Sequence, residues 1–425
     1  MKDSINETRL DSGAVVLSDR MEGARSATLG FFFRVGARDE PEGLNGISHF
    51  IEHTVFKGTS RRTALDIAIE QDRLGGNLDA FTTHEETGFA IKVIDDRLPR
   101  AFDLIADMLL EPRFAEPDLK SEQKVIIEEL KMVEDSPEDH LGEVFAEAYF
   151  AGHPLGKNIA GTAASVNSFD HDITERYHKA RFTAAELVIA AAGNIDHDAL
   201  VEMAIRYGFA TPNGSEAPRQ IVKNEPQPAA PFIVKANETL EQAHFILAAP
   251  LVGAGDPRRY AADILANLIG GGTSSRLWQQ IREQRGLAYS VGAAATLFRD
   301  CGIFSVSAAT APEHLEEAVK ISVAEMSAVA KDGVTDDELE LAKEQARTSL
   351  LLSLEDSASR TASLAQSEMT HGRQITIEEV MDQIDSVSAD DCGALAAEFF
   401  STDKLAFAAL GDIDELSLDH SILTV

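Results

Sequence analysis

The chain has 425 residues, 38 basic against 71 acidic, giving a formal net charge of −33, and 44% of it is hydrophobic. At about 150 residues per domain this length predicts two or three domains with ordinary globular cores. Such an acidic surface repels phosphate backbones and anionic lipid, which excludes binding of nucleic acid or a membrane surface through a basic face.

Residues 1–7 lack the charged-then-apolar layout of a secretory signal, and no run approaches the ~18 apolar residues of a membrane-spanning helix. Cys301 and Cys392 are too few for a disulfide framework and are expected as buried free thiols. A cytoplasmic protein is the expectation. In chain order, Thr28–Val35 and Ala90–Ile94 read as strands. Leu98–Leu110 has helical apolar spacing, and Glu116–Glu134 continues as a long charged helix. Strands and helices come in groups, which predicts α+β rather than a parallel doubly wound sheet. No dinucleotide or Walker-type glycine loop occurs.

An internal repeat organises the chain. Residues 187–196 (LVIAAAGNID) return as 405–414 (LAFAALGDID), with Gly193 and Gly411 218 positions apart. Gly58-Thr59 matches Gly272-Thr273 at an offset of 214, each after a helical stretch. Prolines 212, 226, 228 and 231 mark an extended tether between the copies. The predicted organisation is an N-terminal domain 1–211, a linker 212–231 and a homologous C-terminal domain 232–425. Each is expected to be a mainly antiparallel sheet with helices packed on it.

The most informative segment is His49-Phe50-Ile51-Glu52-His53. On a helix, positions i, i+3 and i+4 share a face, so two imidazoles and a carboxylate converge. Histidines one turn apart clamp zinc, and a non-ligand glutamate beside them can take a proton from metal-bound water. This is the inverse of His-Glu-x-x-His, and it still needs a third ligand. The bland alternative is a surface His/Glu cluster. Downstream, Glu122 and Glu129 lie two turns apart on one helix face, with Val125 and Ile126 between them, so that face should meet the interior. Buried carboxylates there would need a partner such as a metal. Glu128 should face solvent. Taken alone, two glutamates on a charged helix are simply solvated.

With these residues in place, the chain resembles the pitrilysin, insulin-degrading enzyme and mitochondrial processing peptidase group of zinc metallopeptidases. That family has the same five-residue motif, a third glutamate ligand some 75 residues on, and another functional glutamate seven residues before it. The resemblance implies His49, His53 and Glu129 as ligands of one Zn2+ per chain, Glu52 as general base and Glu122 as a supporting carboxylate. Carried to the second copy, the motif falls on Asp263, Ala266 and Asn267, and the glutamates fall on Ala342 and Ser349. One half carries the metal set and the other does not.

The second half resembles the family's substrate-holding half. Gly270-Gly271-Gly272 and the run from Arg282 to Ser290 carry that likeness. It implies that Arg282 and Tyr289 hold the substrate backbone and the tetrahedral intermediate; Arg285 is the competing arginine. The segment from Asn77 through Asp79, Ala80 and Phe81 to Thr83 resembles the edge strand on which a peptide is added, although the family often has asparagine where Asp79 stands. His84 is expected on the surface. Short family members pair, so a homodimer is implied, or a heterodimer with a related chain. The expected activity is zinc-dependent endopeptidase action on short or unfolded peptides, with basic peptides favoured by the charge. The rival readings are a non-catalytic scaffold subunit and a zinc hydrolase of small amides.

Overall fold

The computed structural model describes residues 5–76, 78–212, 225–414, 416 and 418–425. The first half runs β1 Ile5–Arg9, β2 Val15–Arg20, β3 Ser26–Phe33, α1 Ile47–Thr54, α2 Ala64–Leu74, β4 Leu78–Thr82 and β5 Thr87–Ile94. It continues through α3 Leu98–Leu110, α4 Glu116–Asp135, α5 Pro137–Tyr149, α6 Ala163–Ser168, α7 His171–Arg181, β6 Leu187–Gly193 and α8 His197–Arg206. The second half begins with β7 Phe232–Ala236, β8 Ala243–Leu251, α9 Arg259–Gly270, a π-helical turn Trp278–Glu283, β9 Ala288–Leu297 and β10 Gly302–Thr310. It closes with α10 Leu315–Asp332, α11 Asp336–Ser353, α12 Ser357–His371, α13 Ile377–Ser386, α14 Ala389–Phe399 and β11 Ala406–Gly411.

The fold is α+β, with one sheet in each half. The first sheet has the order β1-β2-β6-β3-β5-β4 and the second β7-β11-β8-β10-β9. Without β1 the two orders are the same. In each sheet one pair is parallel, β2 with β6 and β7 with β11, and the other neighbours are antiparallel. The sequence repeat is therefore a repeat of topology.

Two compact units result, and neither is one contiguous stretch. The first comprises Met1–Met132, Lys157–Lys223 and Leu351–Ile375; the second comprises Val133–Gly156, Asn224–Leu350 and Thr376–Val425. The expected domains 1–211 and 232–425 thus interleave: α5 belongs to the second unit and α12 to the first. The tether's residues 213–224 lie outside the described residues, and 225–231 form neither helix nor strand.

In the first unit, α1 and α3 cover one face of the sheet in a core containing Phe31, Phe50, Phe89 and Phe102. On the opposite face α12 places Leu364 and Ala365 against Val15, Leu17, Phe32, Val188 and Ala190. A central strand covered on both sides must be apolar throughout, which is why β6 reads Leu-Val-Ile-Ala-Ala-Ala-Gly and is wholly buried. Polar contacts tie α12 down as well. The Glu368 carboxylate accepts from both terminal nitrogens of Arg9 (3.0 and 2.8 Å) and from Arg34 (3.0 Å). In the second unit, α5 packs Leu141, Phe145 and Tyr149 on the small residues Ala248, Ala406 and Ala408. Cys301 and Cys392 are buried thiols with no disulfide between them. Among the described residues no helix is long and apolar enough to cross a membrane.

Candidate metal centre

Helix α1 begins at Gly46, whose φ of 93° is left-handed, and a Cβ there would lie 2.5 Å from the Ala160 carbonyl oxygen. The free amides of the first turn go to a side chain. Glu40 accepts from the Gly46 and Ser48 amides at 2.7 and 2.8 Å. Burial pushes the Glu40 carboxyl up to about 7, although these amides draw it down. Ile47, Phe50 and Ile51 are fully buried. Seated on those residues, the helix presents His49, Glu52 and His53 together, with the two imidazole centroids 4.5 Å apart.

Helix α4 supplies the carboxylates. Its buried stripe is Leu119, Glu122, Gln123 and Ile126. The expectation for Val125 is corrected: it is 47% exposed. The stripe advances by three and four, and Val125 stands one residue off it. Glu128 pairs with Lys131 on the surface, as the helix rotation predicts. Glu129 lies at the stripe's margin and turns Oε2 inward. That oxygen stands 3.8 Å from His49 Nε2 and 3.7 Å from His53 Nε2. It is buried and accepts no hydrogen bond.

Three donor atoms thus converge, all within 4.8 Å of one another; among the described residues no second such group occurs. Tetrahedral zinc with bonds of about 2.0–2.2 Å sets its ligands roughly 3.4 Å apart; the Glu129 oxygen stands close to that distance from each imidazole nitrogen, and the N,N,O chemistry suits that ion. The surroundings act on the two imidazoles in opposite directions. Burial, with the neighbouring His53, holds the His49 imidazole down to about 4, so its nitrogen is an open lone pair. Burial also presses down on His53, but Glu122, Glu52 and Glu129 outweigh it and favour a proton there.

The remaining carboxylates are held differently. Glu122 faces His53 Nδ1 at 3.7 Å through one oxygen and Lys57 Nζ at 2.8 Å through the other. Against the pull of burial, these two partners keep it ionised. Glu52 is not in the donor cluster. Its Oε2 accepts from the Thr82 hydroxyl at 2.8 Å, and burial raises its pKa.

Thr82 lies on β4, which pairs with β5 alone and so leaves one edge unpaired. The Thr83 amide donates to the Glu86 carbonyl at 2.8 Å, which sets the alternation along the pair. By that alternation the main-chain groups of Leu78, Ala80 and Thr82 point out of the free edge, and their side chains face α1. Asp79 and Phe81 point to the opposite face, where the Phe81 ring approaches Phe32 (centroids 6.3 Å apart). The structure therefore sets Ala80, but neither Asp79 nor Phe81, on the side of Glu52. Asn77 lies outside the described residues. His84 is half-buried, its Nε2 3.1 Å from the Lys157 carbonyl oxygen.

In the second unit Arg282 sits in the π-helical turn, a local irregularity common at functional sites. The register of β9 on β10 slips between Ala309, opposite Ser290, and Thr310, opposite Ala288. Tyr289 is the extra residue of that bulge, and it is 80% exposed. The guanidinium lies 4.5 Å from the Tyr289 ring centroid and 4.1 Å from that of Trp278. Sequence reasoning misses Trp278, although a signal exists: it is the chain's one tryptophan, four residues before Arg282. Arg285 instead bonds to Gln280, at its carbonyl and side-chain oxygens. Gly270 serves packing, since a Cβ there would lie 2.4 Å from the Ala293 nitrogen where α9 meets β9.

Residues 15–163 match the family described as Insulinase (Peptidase family M16), and residues 168–346 match the Peptidase M16 inactive domain. The chain belongs to peptidase family M16. It is 38% identical to an uncharacterized zinc protease of Mycobacterium tuberculosis, over 95% of this chain and 92% of that one. It is 33% identical to an uncharacterized zinc protease of Bacillus subtilis, over 92% of this chain and 95% of that one. The M16 fold recurs in solved structures of low identity. A protease from Helicobacter pylori superimposes with a TM-score of 0.88 at 20% identity, covering 96% of this chain and 99% of that one. A chain of complex III2 from Candida albicans does so with 0.84 at 21%, covering 99% and 100%.

Proposed function

We propose that the protein is a zinc-dependent endopeptidase acting on short or unfolded peptides, with one Zn2+ per chain held by His49, His53 and Glu129. The observation that carries this is the buried, unbonded Glu129 oxygen facing two imidazole nitrogens, with a separate buried carboxylate, Glu52, on the same helix face. Zinc in such a site polarises a carbonyl and lowers the pKa of the water it binds to about 7. Glu52 is the proton carrier. Thr82 occupies its Oε2, leaving Oε1 to take a proton and return it to the leaving amine. Glu122 orients His53 through Nδ1 and is itself fixed by Lys57.

The free edge of β4 can accept a peptide as an added strand through the outward main-chain groups of Leu78, Ala80 and Thr82, a mode that tolerates varied sequences. Arg282 and Tyr289 can donate to the substrate carbonyl and to the developing oxyanion. Because one chain carries both residue sets, a homodimer suffices. The charge of −33 favours basic peptides.

The likeness to a complex III2 chain supports a scaffold reading at the level of fold, but the complete donor set favours catalysis. Metal analysis and digestion of a peptide mixture, parent beside Glu52→Gln, test the proposal. About one zinc per chain, chelator-sensitive cleavage and a zinc-loaded inactive variant are expected. Equal cleavage by the two proteins would refute the mechanism. Activity recovered on mixing Arg282→Ala with His49→Ala chains would support a shared site between subunits; none in a verified heterodimer would overturn it.

A further inference from the structure

A cleft of about 430 Å3 opens on the face of the first unit's sheet opposite the metal donors. Phe32, Phe81 and Ala90 form its floor, and Ala358, Ala362 and Ala365 of α12 form its wall. It exists because α12 packs mainly on β2, β3 and β6 and reaches β5 chiefly through its start, where Asp356 pairs with Lys92 at 2.8 Å. Small side chains on the helix keep the gap open.

One charged group lines this apolar space. Glu86 follows the turn that joins β4 to β5, and its backbone is satisfied by Thr83 in both directions, at 2.8 and 3.0 Å. Its carboxylate has no hydrogen bond or ion pair among the described residues, whereas the adjacent Glu85 is paired with Arg38 at 2.6 Å. Burial and the charge of Glu85 push Glu86 up to about 7, as expected for a carboxylate facing no cation. A carboxylate left in apolar surroundings without a partner is costly, and a cation arriving on an aliphatic stem removes that cost while filling the alanine-lined wall.

We propose that this cleft binds a lysine side chain, with its ammonium on Glu86 and its stem against Phe81 and the alanines of α12. A strand alternates its side chains between the two faces of a sheet. A peptide paired along β4 would therefore send every second side chain toward Phe81 and this cleft, away from the metal. That source of the lysine rests on the β4 reading above; the site itself does not.

The full chain, labelled at alanine methyl groups, is titrated with n-butylammonium and with n-butanol. Saturable shifts at Ala90, Ala358, Ala362 and Ala365 are expected, with the ammonium bound about tenfold tighter than the alcohol. Glu86→Gln should abolish the preference and leave the alcohol's affinity unchanged, which also shows that the variant is folded. Equal affinity for the two probes, a preference that survives Glu86→Gln, or shifts confined to other alanines would overturn the site. In a second arm, N-acetylated peptides with lysine or norleucine compete with butylammonium, beside a norleucine peptide with a free N-terminus. Stronger competition by lysine supports the assignment. If the free N-terminus competes as well, or the acetylated peptides are equal while butylammonium still binds, the lysine assignment falls and the ammonium site stands.

Discussion

Replacing Trp278 with leucine removes one of the two rings that flank the Arg282 guanidinium and leaves Tyr289 in place. A cation over an aromatic face is worth about 0.5–1 kcal/mol when exposed and about 2 when desolvated. Arg282 is 30% exposed, so about 1 kcal/mol applies to the Trp278 contact at 4.1 Å. The freed arginine also regains part of its roughly 2 kcal/mol of rotamer freedom, which must be lost again where, as proposed, it meets substrate. Together these predict a loss of about 1–2 kcal/mol, or roughly five- to thirtyfold in kcat/KM. Zinc content should be unchanged, and Trp278→Phe should restore most of the rate. A merely structural role would not reproduce the double-mutant result: in an Arg282→Ala background, Trp278→Leu should cost almost nothing further. Because Trp278 is the chain's one tryptophan, its emission also reports the stack directly, and Arg282→Ala should shift it. A Trp278→Leu enzyme within twofold of the parent, or equal losses in both backgrounds, would refute the reasoning.

Chelation should lower the thermal transition of the first unit, by the equivalent of about 4 kcal/mol when free zinc exceeds its Kd a thousandfold; a scan unchanged by chelator would count against a folded, occupied site. Glu368→Ala removes the buried carboxylate shared by Arg9 and Arg34, and should destabilise the first unit by about 3 kcal/mol in urea titrations, toward the low end for a broken buried pair because Arg9 is half-exposed and keeps Glu7. Burial would raise the pKa of Glu338, but its two-point contact with Arg276, joined by bonds from the Thr335 amide and hydroxyl, overrides this and depresses it from 4.5 to about 2. A depressed carboxyl contributes stability that is full above pH 4.5 and lost as pH falls toward 2. Arg276→Met should therefore flatten the acid limb of the stability curve in that window, and an unaltered limb would show that the pair contributes nothing.

Much of the site is legible in the sequence because local periodicity carries it. The spacing of His49, Glu52 and His53 needs only a helix to become a face, and the helix is dictated by Ile47, Phe50 and Ile51 on its other side. Helices Leu98–Leu110 and Glu116–Asp135 are legible for the same reason. The features that are not legible depend on partners distant in sequence. Val125 reads as inward because it lies between two glutamates, but the core meets α4 along a stripe it does not share. The orientation of Phe81 follows from the hydrogen-bond alternation set at Thr83 and Glu86, which composition does not encode. Tyr289 gains its aim from a bulge, and a one-residue slip in register leaves no mark in the sequence itself.

The exchange of α5 and α12 is the deepest of these non-local features, and it explains why a duplication of unequal halves holds together. The two helices are equivalent copies, starting 220 residues apart at Pro137 and Ser357. Each covers the far face of the other half's sheet. A contiguous first half would lack α12 and would expose Val15, Leu17, Phe32, Val188 and Ala190, all now within the core. A contiguous second half would lack α5 and would uncover Ala248, Ala406 and Ala408. Exposing apolar surface at about 25 cal/mol per Å2 is a heavy cost against the few kcal/mol by which domains are stable. Neither half is thus complete without the other. The second half has Asp263, Asn267 and Ser349 where His49, His53 and Glu129 stand in the first, yet it supplies the helix that the first sheet needs. In place of a metal set, its surface carries the ring-flanked Arg282 beside the bulged Tyr289.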